Sequence, residues 1–412
     1  MDDIKLLRKE DLESVQELQR ILDSLKNECL DLQKRIEQNK NLMDQLEKSQ
    51  KNIIAQNDEV VRKLGIVQRR EQEKYAIGTW NLEGATDKLM NLLERWMFFD
   101  KTITDKARLI YLCCLLERGQ EEQAAVGLKR YFEERGANLI CEFLPLAWLA
   151  IKIKIGGEVM KKAAYIFEKL EDERHNKYFE RALKSHSFAV VGNSPDIIGS
   201  KSGAIINSRD IVFRMNTYKL NEAYIEDTGT KVNALADNSN FAGIDHENHL
   251  KASGLEWLYM PYDFWHIQLS QFTYPGKFLE SYYQLFKNDK VKITWLFPDV
   301  SIELKQRLKM TSPSTGMALF YSIYKCFGYV KEDWFFGFSK NKRENGRFSN
   351  PLKDCGDEEH EEVQKANEDN YSSNDELSNF YKDVPCYSKG HNFNRELELR
   401  NELYMEAREK RI

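Results

Sequence analysis

Three short stretches of this sequence place hydroxyls, amides, glycines and a histidine where a phosphate, a carboxylate and a proton could be handled. The first is Gly192-Asn193-Ser194-Pro195, which follows the apolar run Phe188-Ala189-Val190-Val191 and precedes the small residues Gly199, Ser200, Ser202 and Gly203 and a second apolar run, Ile211 to Asn216. A strand that stops in such a turn and feeds a helix leaves backbone N–H groups and the positive end of a helix dipole at the sheet's carboxyl edge, which suits a phosphate. An ordinary β-turn-helix of an α/β core uses the same residues. The second stretch is Ser312-Pro313-Ser314-Thr315-Gly316, ahead of an amphipathic helical segment. Ser314 and Thr315 would offer hydroxyl and backbone donors at a helix N-terminus, the chemistry a sugar carboxylate wants, although a plain helix cap reads the same way. The third is His391-Asn392-Phe393-Asn394-Arg395-Glu396. His391 follows Gly390 at the start of a helix running through Leu399, and a histidine of near-neutral pKa can take a proton as general base. Glu396, one helical turn on, would tie the motif to the core. The other six histidines, His175, His186, His246, His249, His266 and His360, read as surface residues.

The elements that must position these groups begin near Ser187. Apolar runs at Ala189 to Val191, Ile211 to Met215, Val232 to Leu235, Trp257 to Met260, Val291 to Phe297 and Trp334 to Phe338 alternate with helical segments such as Phe278 to Phe286 and Gly316 to Tyr324. Such alternation predicts an α/β, Rossmann-like and mostly parallel sheet with ligands at the carboxyl ends of its strands, over a domain spanning 186–412. Residues 341–378 are polar, acidic and nearly free of aliphatics, so a loop is expected there, with an active-site lid as its functional reading.

Upstream, residues 75–185 are helical in pattern and rich in aromatics, with Gly119, Gly136 and Gly156-Gly157 where helix-ending glycines belong. The helical pairs are similar in length to tetratricopeptide-like repeats, but no repeat motif aligns. An α-helical domain is expected, serving as a spacer or as a dock for an acceptor or partner. Residues 1–72 read as a coiled coil: Val15, Leu18, Leu22, Leu25, Cys29, Leu32, Ile36, Met43, Leu46, Ile53, Val60, Leu64 and Val67 hold the a and d positions of a heptad, interrupted by Asn39, Gln50 and Asn57. An apolar seam of that length needs a partner, and Asn39 and Asn57 within it favour an in-register homo-oligomer of low order.

Composition narrows the function classes. With 412 residues, 42% hydrophobic and 12% aromatic, the chain can bury a core in two or three domains, which excludes wholesale disorder. Basic residues (61) nearly balance acidic ones (66), so nothing global points to nucleic acid. The seven cysteines are scattered and odd in number, without metal spacing, which favours reduced thiols. No apolar signal core opens the chain and no run of eighteen apolar residues occurs. The expected location is cytoplasmic, with peripheral association at the inner face of the membrane as the variant.

Taken in order, the three stretches resemble the sialylmotifs of the eukaryotic-type sialyltransferase family: Val190-Val191-Gly192-Asn193-Ser194 through Arg214-Met215-Asn216 the long motif, Ser312 through Phe338 the short one, and His391-x4-Glu396 the very short one. The resemblance covers about Ser187 to Glu398 and implies a variant GT-A-type glycosyltransferase core. It also implies that Gly192, Asn193, Ser194 and Asn216 bind a CMP-sugar donor, with Asn193 and Asn216 on its nucleotide part, that Ser314, Thr315 and Gly316 hold its sugar end and carboxylate, and that His391 is the base for inverting displacement of CMP, without metal or other cofactor. The absence of a DxD signature fits that expectation; Asp210, Asp227 and Asp237 stand alone.

Three departures stand out. Family members open the long motif with a cysteine disulfide-bonded into the short motif; here Phe188 holds the first position and Cys326 roughly matches the second. The phosphate-binding aromatic cluster of the family has no clean counterpart, Asn379-Phe380-Tyr381 and His360 being the candidates. Eukaryotic members carry an N-terminal membrane anchor and this sequence has none, more like a bacterial relative. The expected function is therefore transfer of a sialic acid or related 2-keto acid sugar to a glycan acceptor, with CMP-N-acetylneuraminate and CMP-Kdo left open as donors and surface polysaccharide as the setting. The alternative is a non-catalytic coiled-coil scaffold that keeps a sialyltransferase-like fold.

Overall fold

Among the described residues, six short apolar runs form one fully parallel sheet in the computed structural model, which describes residues 2–171, 174–216, 218, 220, 222–238, 254–271, 275–287, 291–310, 312–339 and 393–409. The strands are β1 (Phe188–Val191), β2 (Ile211–Met215), β3 (Ala234–Ala236), β4 (Trp257–Met260), β5 (Lys292–Trp295) and β6 (Phe335–Phe336). Their order is β5-β4-β3-β2-β1-β6. Five strands are thus laid down outward from β1 in one direction, and the chain then returns to place β6 on β1's other side. That reversal makes the β1/β6 junction the topological switch point, where parallel α/β sheets open a crevice at their carboxyl ends.

Strand alternation sorts the core into faces. Phe188, Val190, Ile211, Phe213, Met215, Ala234, Ala236, Trp257 and Tyr259 share one buried cluster, whereas Leu235, Leu258 and Met260, one residue out of phase, join another. This is the period-two signature of a sheet covered on both sides, and it explains why the strands read as near-continuous apolar runs.

The helices are α1 (Asp2–Glu83), α2 (Asp87–Glu94), α3 (Asp105–Glu117), α4 (Glu121–Arg135), α5 (Leu144–Lys152), α6 (Glu158–Leu170), α7 (Arg174–Ser185), α8 (Gly203–Asn207), α9 (Ile225–Thr228), α10 (Pro275–Lys287), α11 (Pro298–Leu308), α12 (Thr315–Phe327) and α13 (Phe393–Glu409). A π-helical turn, Arg95–Phe99, extends α2. The expected glycine stops are present: Gly119 and Gly136 end α3 and α4 at φ of 73° and 79°, in the left-handed region that favours residues without a Cβ.

By packing, the chain divides into Met1–Glu71 and Gln72–Ile412, with α1 contributing to both. In the second unit, Ala76 and Trp80 of α1 and the buried faces of α2 to α6 form one cluster with Leu235, Leu258, Met260, Ile293 and Trp295 of the sheet. The helical region and the sheet therefore share a core, and burial is continuous from residue 76 into β5. In the first unit α1 is helical throughout, and its seam residues are exposed in the single chain. Among the described residues, no helix is long and apolar enough to cross a membrane.

Candidate functional site

At the carboxyl ends of β1, β2, β3 and β6 the backbone turns four times within a small region, and each turn is held by a side chain or a glycine. Gly192 leaves β1 so close to Gly337, just past β6, that a Cβ on Gly192 would fall 2.5 Å from the Gly337 carbonyl oxygen, and one on Gly337 would fall 2.5 Å from that of Gly192. Gly337 also sits at φ +64°. Only two glycines permit this approach, which lets Gly192 N donate to Phe336 O (2.8 Å) and Ser194 N to Gly337 O (2.9 Å). These bonds revise one expectation from the sequence: the N–H groups of Gly192 and Ser194 are occupied by the carbonyls of Phe336 and Gly337 and are unavailable to a phosphate. The helix expected directly after the turn is instead a 3₁₀ turn, Pro195–Ile197, capped by the Ser194 hydroxyl. The small residues that follow have a packing role as well, since a Cβ on Gly203 would lie 2.2 Å from Ile225 O, where α8 meets α9.

Asn193 and Asn216 link the strand ends. Asn193 Nδ2 donates to Met215 O (3.1 Å) at the end of β2. Asn216 stands at φ 45°, a conformation asparagine tolerates better than most residues; its N–H donates to Ala236 O (2.7 Å) and its Oδ1 accepts from Asn238 N (3.0 Å) at the end of β3. Beyond β4, the Tyr262 hydroxyl donates to Asn238 O.

The 13-residue helix α12 brings its N-terminus to the same place. Thr315 Oγ1 donates to Asn216 Oδ1 at 3.2 Å, so the second stretch singled out in the sequence touches the first across 99 positions of chain. Ser314 is the N-cap, its Oγ accepting from Met317 N (3.2 Å). The third stretch joins through Glu396, which is 1% exposed and accepts from Ser314 N (2.8 Å) with Oε1 and from Ser314 Oγ (2.6 Å) with Oε2. Both hydroxyl hydrogens are therefore committed inside the protein, contrary to the expectation that they would face an anion. The donors left at the start of α12 are the N–H groups of Thr315 and Gly316, which have no acceptor among the described residues; the space beside Gly316 Cα is closed by the Phe338 ring, 3.1 Å from where a Cβ would sit. With the positive end of the helix dipole behind them, these two N–H groups suit a carboxylate or phosphate.

Helix α13 is clamped a second time by Arg400, whose Nη2 donates to Ser339 O (2.6 Å) and whose guanidinium lies 5.2 Å from the centre of the Phe338 ring. Its start, Phe393, lies two residues past His391 in the chain. His391 itself, His360, the Asn379-Phe380-Tyr381 candidate and the 341–378 loop lie outside the described residues.

Other residues of the long motif serve the scaffold. Arg214 is buried and donates to Thr228 O (2.7 Å), Gly229 O (3.1 Å) and Lys231 O (3.2 Å); burial pulls its pKa down to about 10. Phe188, in place of the family's cysteine, stacks on Phe327 (6.0 Å between ring centres) and packs at a tilt against Trp334 (4.9 Å), in the same cluster as a free and half-buried Cys326 whose thiol pKa burial, with Glu180 nearby, pushes up to about 12.

His266 corrects the surface reading given to it from the sequence. It is 1% exposed, with Nδ1 2.7 Å from Asp263 Oδ2 and Nε2 3.2 Å from Glu117 Oε2, and Trp80 Nε1 donates to the same Glu117 oxygen at 3.2 Å. Burial disfavours the imidazolium, but Asp263 and then Glu117 outweigh it and hold the pKa up to about 9. The spacing Asp263-x2-His266 was the one available signal in the sequence, and nothing local pointed to Glu117 as the third member.

Sequence comparison agrees with this geometry. A family model described as glycosyltransferase family 29 (sialyltransferase) matches residues 143–343. No curated protein matches the chain. Similar solved structures include a mammalian sialyltransferase in complex with Gal-beta-1-3GalNAc-ortho-nitrophenol, at 20% identity over 55% of this chain and 82% of that one with a TM-score of 0.31, and another crystal structure of a mammalian sialyltransferase, at 19% identity with the same coverage and TM-score. Residues 143–343, which carry the β1 turn, the Asn193 and Asn216 links and the N-terminus of α12, are thus similar to glycosyltransferase family 29, the sialyltransferases.

Proposed function

We propose that the chain transfers a sialic acid or a related 2-keto acid sugar from a CMP-activated donor to a glycan acceptor, with inversion and with His391 as general base. The observation that carries the reading is the meeting of Asn193, Asn216, Thr315, Ser314 and Glu396 at the carboxyl edge of the sheet. Asn193 and Asn216 offer amides to the nucleotide, and the N–H groups of Thr315 and Gly316 offer a cradle to an anion of the donor. His391 takes the proton of the acceptor hydroxyl as its oxygen forms a bond to the anomeric carbon; the bond from that carbon to CMP breaks, and CMP leaves with the electron pair. No step calls for a divalent ion, because the leaving group departs already bearing the charge that α12 and the amides face. CMP-N-acetylneuraminate and CMP-Kdo share CMP and an anomeric carboxylate, so the same groups serve either donor. A surface-polysaccharide acceptor and a cytoplasmic location, at or near the inner face of the membrane, complete the proposal.

The test separates base from binder. His391→Ala is expected to slow the chemical step by roughly 100-fold or more while leaving CMP affinity unchanged, since general-base catalysis typically contributes that much. Asn193→Ala is expected to weaken CMP binding by about 1–3 kcal/mol through loss of a hydrogen bond and of the β1–β2 link. Full transfer activity in His391→Ala would remove that residue as base. Equal behaviour of both variants would favour the scaffold reading, in which the fold binds but does not turn over.

A further inference from the structure

We propose that the N-terminal seam of α1 is covered by a second copy of the same chain, parallel and in register, to form a two-stranded coiled coil. This rests on the helix alone and is independent of the catalytic reading. Residues 15–67 are a continuous part of α1, and their a and d side chains lie exposed in the single chain: Leu18 65%, Met43 71% and Leu64 63%. Among the described residues nothing buries this long apolar stripe, and the heptad spacing matches helix-on-helix packing.

The polar interruptions choose the occupant. In a parallel, in-register pair, Asn39 meets Asn39, Gln50 meets Gln50 and Asn57 meets Asn57, so each amide finds an amide that both donates and accepts. In an antiparallel pair of full overlap, a faces d, and the same residues meet Met43, Leu32 and Leu25, which strands three polar groups against apolar partners. An unrelated helix would have to carry its own polar residues at the same three levels. Parallel register also brings Arg35 at a g position towards Lys40 at the e position of the second copy; Arg35 is already paired within its own helix to Asp31 at 3.0 Å, which offsets this one like-charge meeting. For strand number, Val15 and Ile36 at a with Leu18, Leu25, Leu32 and Leu46 at d are the β-branched and leucine placement that favours two strands, with Leu22, Cys29 and Met43 at the remaining a positions of the first five heptads and Asn39 at the remaining d.

Cys29 reads out the geometry. It is a free, exposed a-position thiol in the single chain, and in the parallel pair it faces its own copy, whereas in the antiparallel pair it faces Ile53. The experiment is mild copper-phenanthroline oxidation of the full-length protein, read on non-reducing gels and beside light scattering of the reduced protein. The expected results are a mass of twice the 48.5 kDa chain in solution and a cross-linked pair in wild type. The cross-link should be lost in Cys29→Ser and regained when Ile53→Cys is added to Cys29→Ser. A cross-link that appears only when Ile53→Cys is combined with the native Cys29 would establish the antiparallel pair and overturn the proposal. A monomer at micromolar concentration, a mass of three or more copies, or a cross-link that persists in Cys29→Ser would overturn it as well.

Discussion

Glu396 offers the sharpest perturbation of the site that leaves every proposed ligand-contacting group in place. Its carboxylate is 1% exposed and receives two short hydrogen bonds from one residue, Ser314 N at 2.8 Å and Ser314 Oγ at 2.6 Å. Hydrogen bonds to a charged group contribute about 1.5–3 kcal/mol each, so the pair is worth roughly 3–6 kcal/mol before the cost of burying the carboxylate, itself several kcal/mol, is set against it. The net value of the charge is therefore small, and the two substitutions separate. Glu396→Gln keeps the shape, an acceptor for Ser314 N and a partner for the hydroxyl, and is expected to cost about 1 kcal/mol. Glu396→Ala leaves the part-buried Ser314 N–H without its acceptor and opens a void under α13, and is expected to cost about 3–5 kcal/mol. Urea unfolding followed by tryptophan fluorescence measures both, and transfer activity should fall in the same order, because α13 begins two residues after His391. An Ala variant within 1 kcal/mol of wild type, or a Gln variant as damaged as the Ala variant, would refute the claim that this carboxylate ties the third motif to the second.

Further outcomes follow from the buried network and from the division of the chain. His266 has its pKa raised from 6.5 to about 9, so the stability it contributes is fully present below about pH 6.5 and is lost as pH rises through about 9. Thermal unfolding should weaken across that window by roughly 2–3 kcal/mol in wild type and not in His266→Gln; a flat wild-type profile would contradict the assignment. Deletion of residues 1–71 should yield a smaller particle, by light scattering, in which the sheet domain unfolds as in the full chain, since the core begins at Gln72 and Ala76. Equal particle sizes would remove α1 as the oligomerisation element.

Much of the architecture was legible because its signals are local. The six apolar runs became β1 to β6, within a residue or two, because a strand buried on both faces is apolar at every position, and Gly119 and Gly136 ended helices where only a left-handed residue fits. The sharing of one core by the helical region and the sheet was hidden, because contacts such as Trp80 and Phe143 packed in one cluster with Leu258 and Trp295 depend on tertiary arrangement alone. In the site, Asn193, Asn216, Ser314, Thr315 and Glu396 could be singled out by type and order, and the structure brings them together. What they bond was not legible: whether a serine hydroxyl faces a ligand or a glutamate 82 positions away is decided by packing, as are the pairing of Gly192 with Gly337 and the buried state of His266.

The measurement closest to the central claim is turnover of the purified full-length protein with a chelator present. CMP release from CMP-N-acetylneuraminate and from CMP-Kdo would be followed with and without a glycan acceptor. The account predicts acceptor-dependent CMP release from one of the two donors, undiminished by chelation. No release from either donor across a panel of acceptors by a protein that binds CMP would contradict it, as would release that requires a divalent ion.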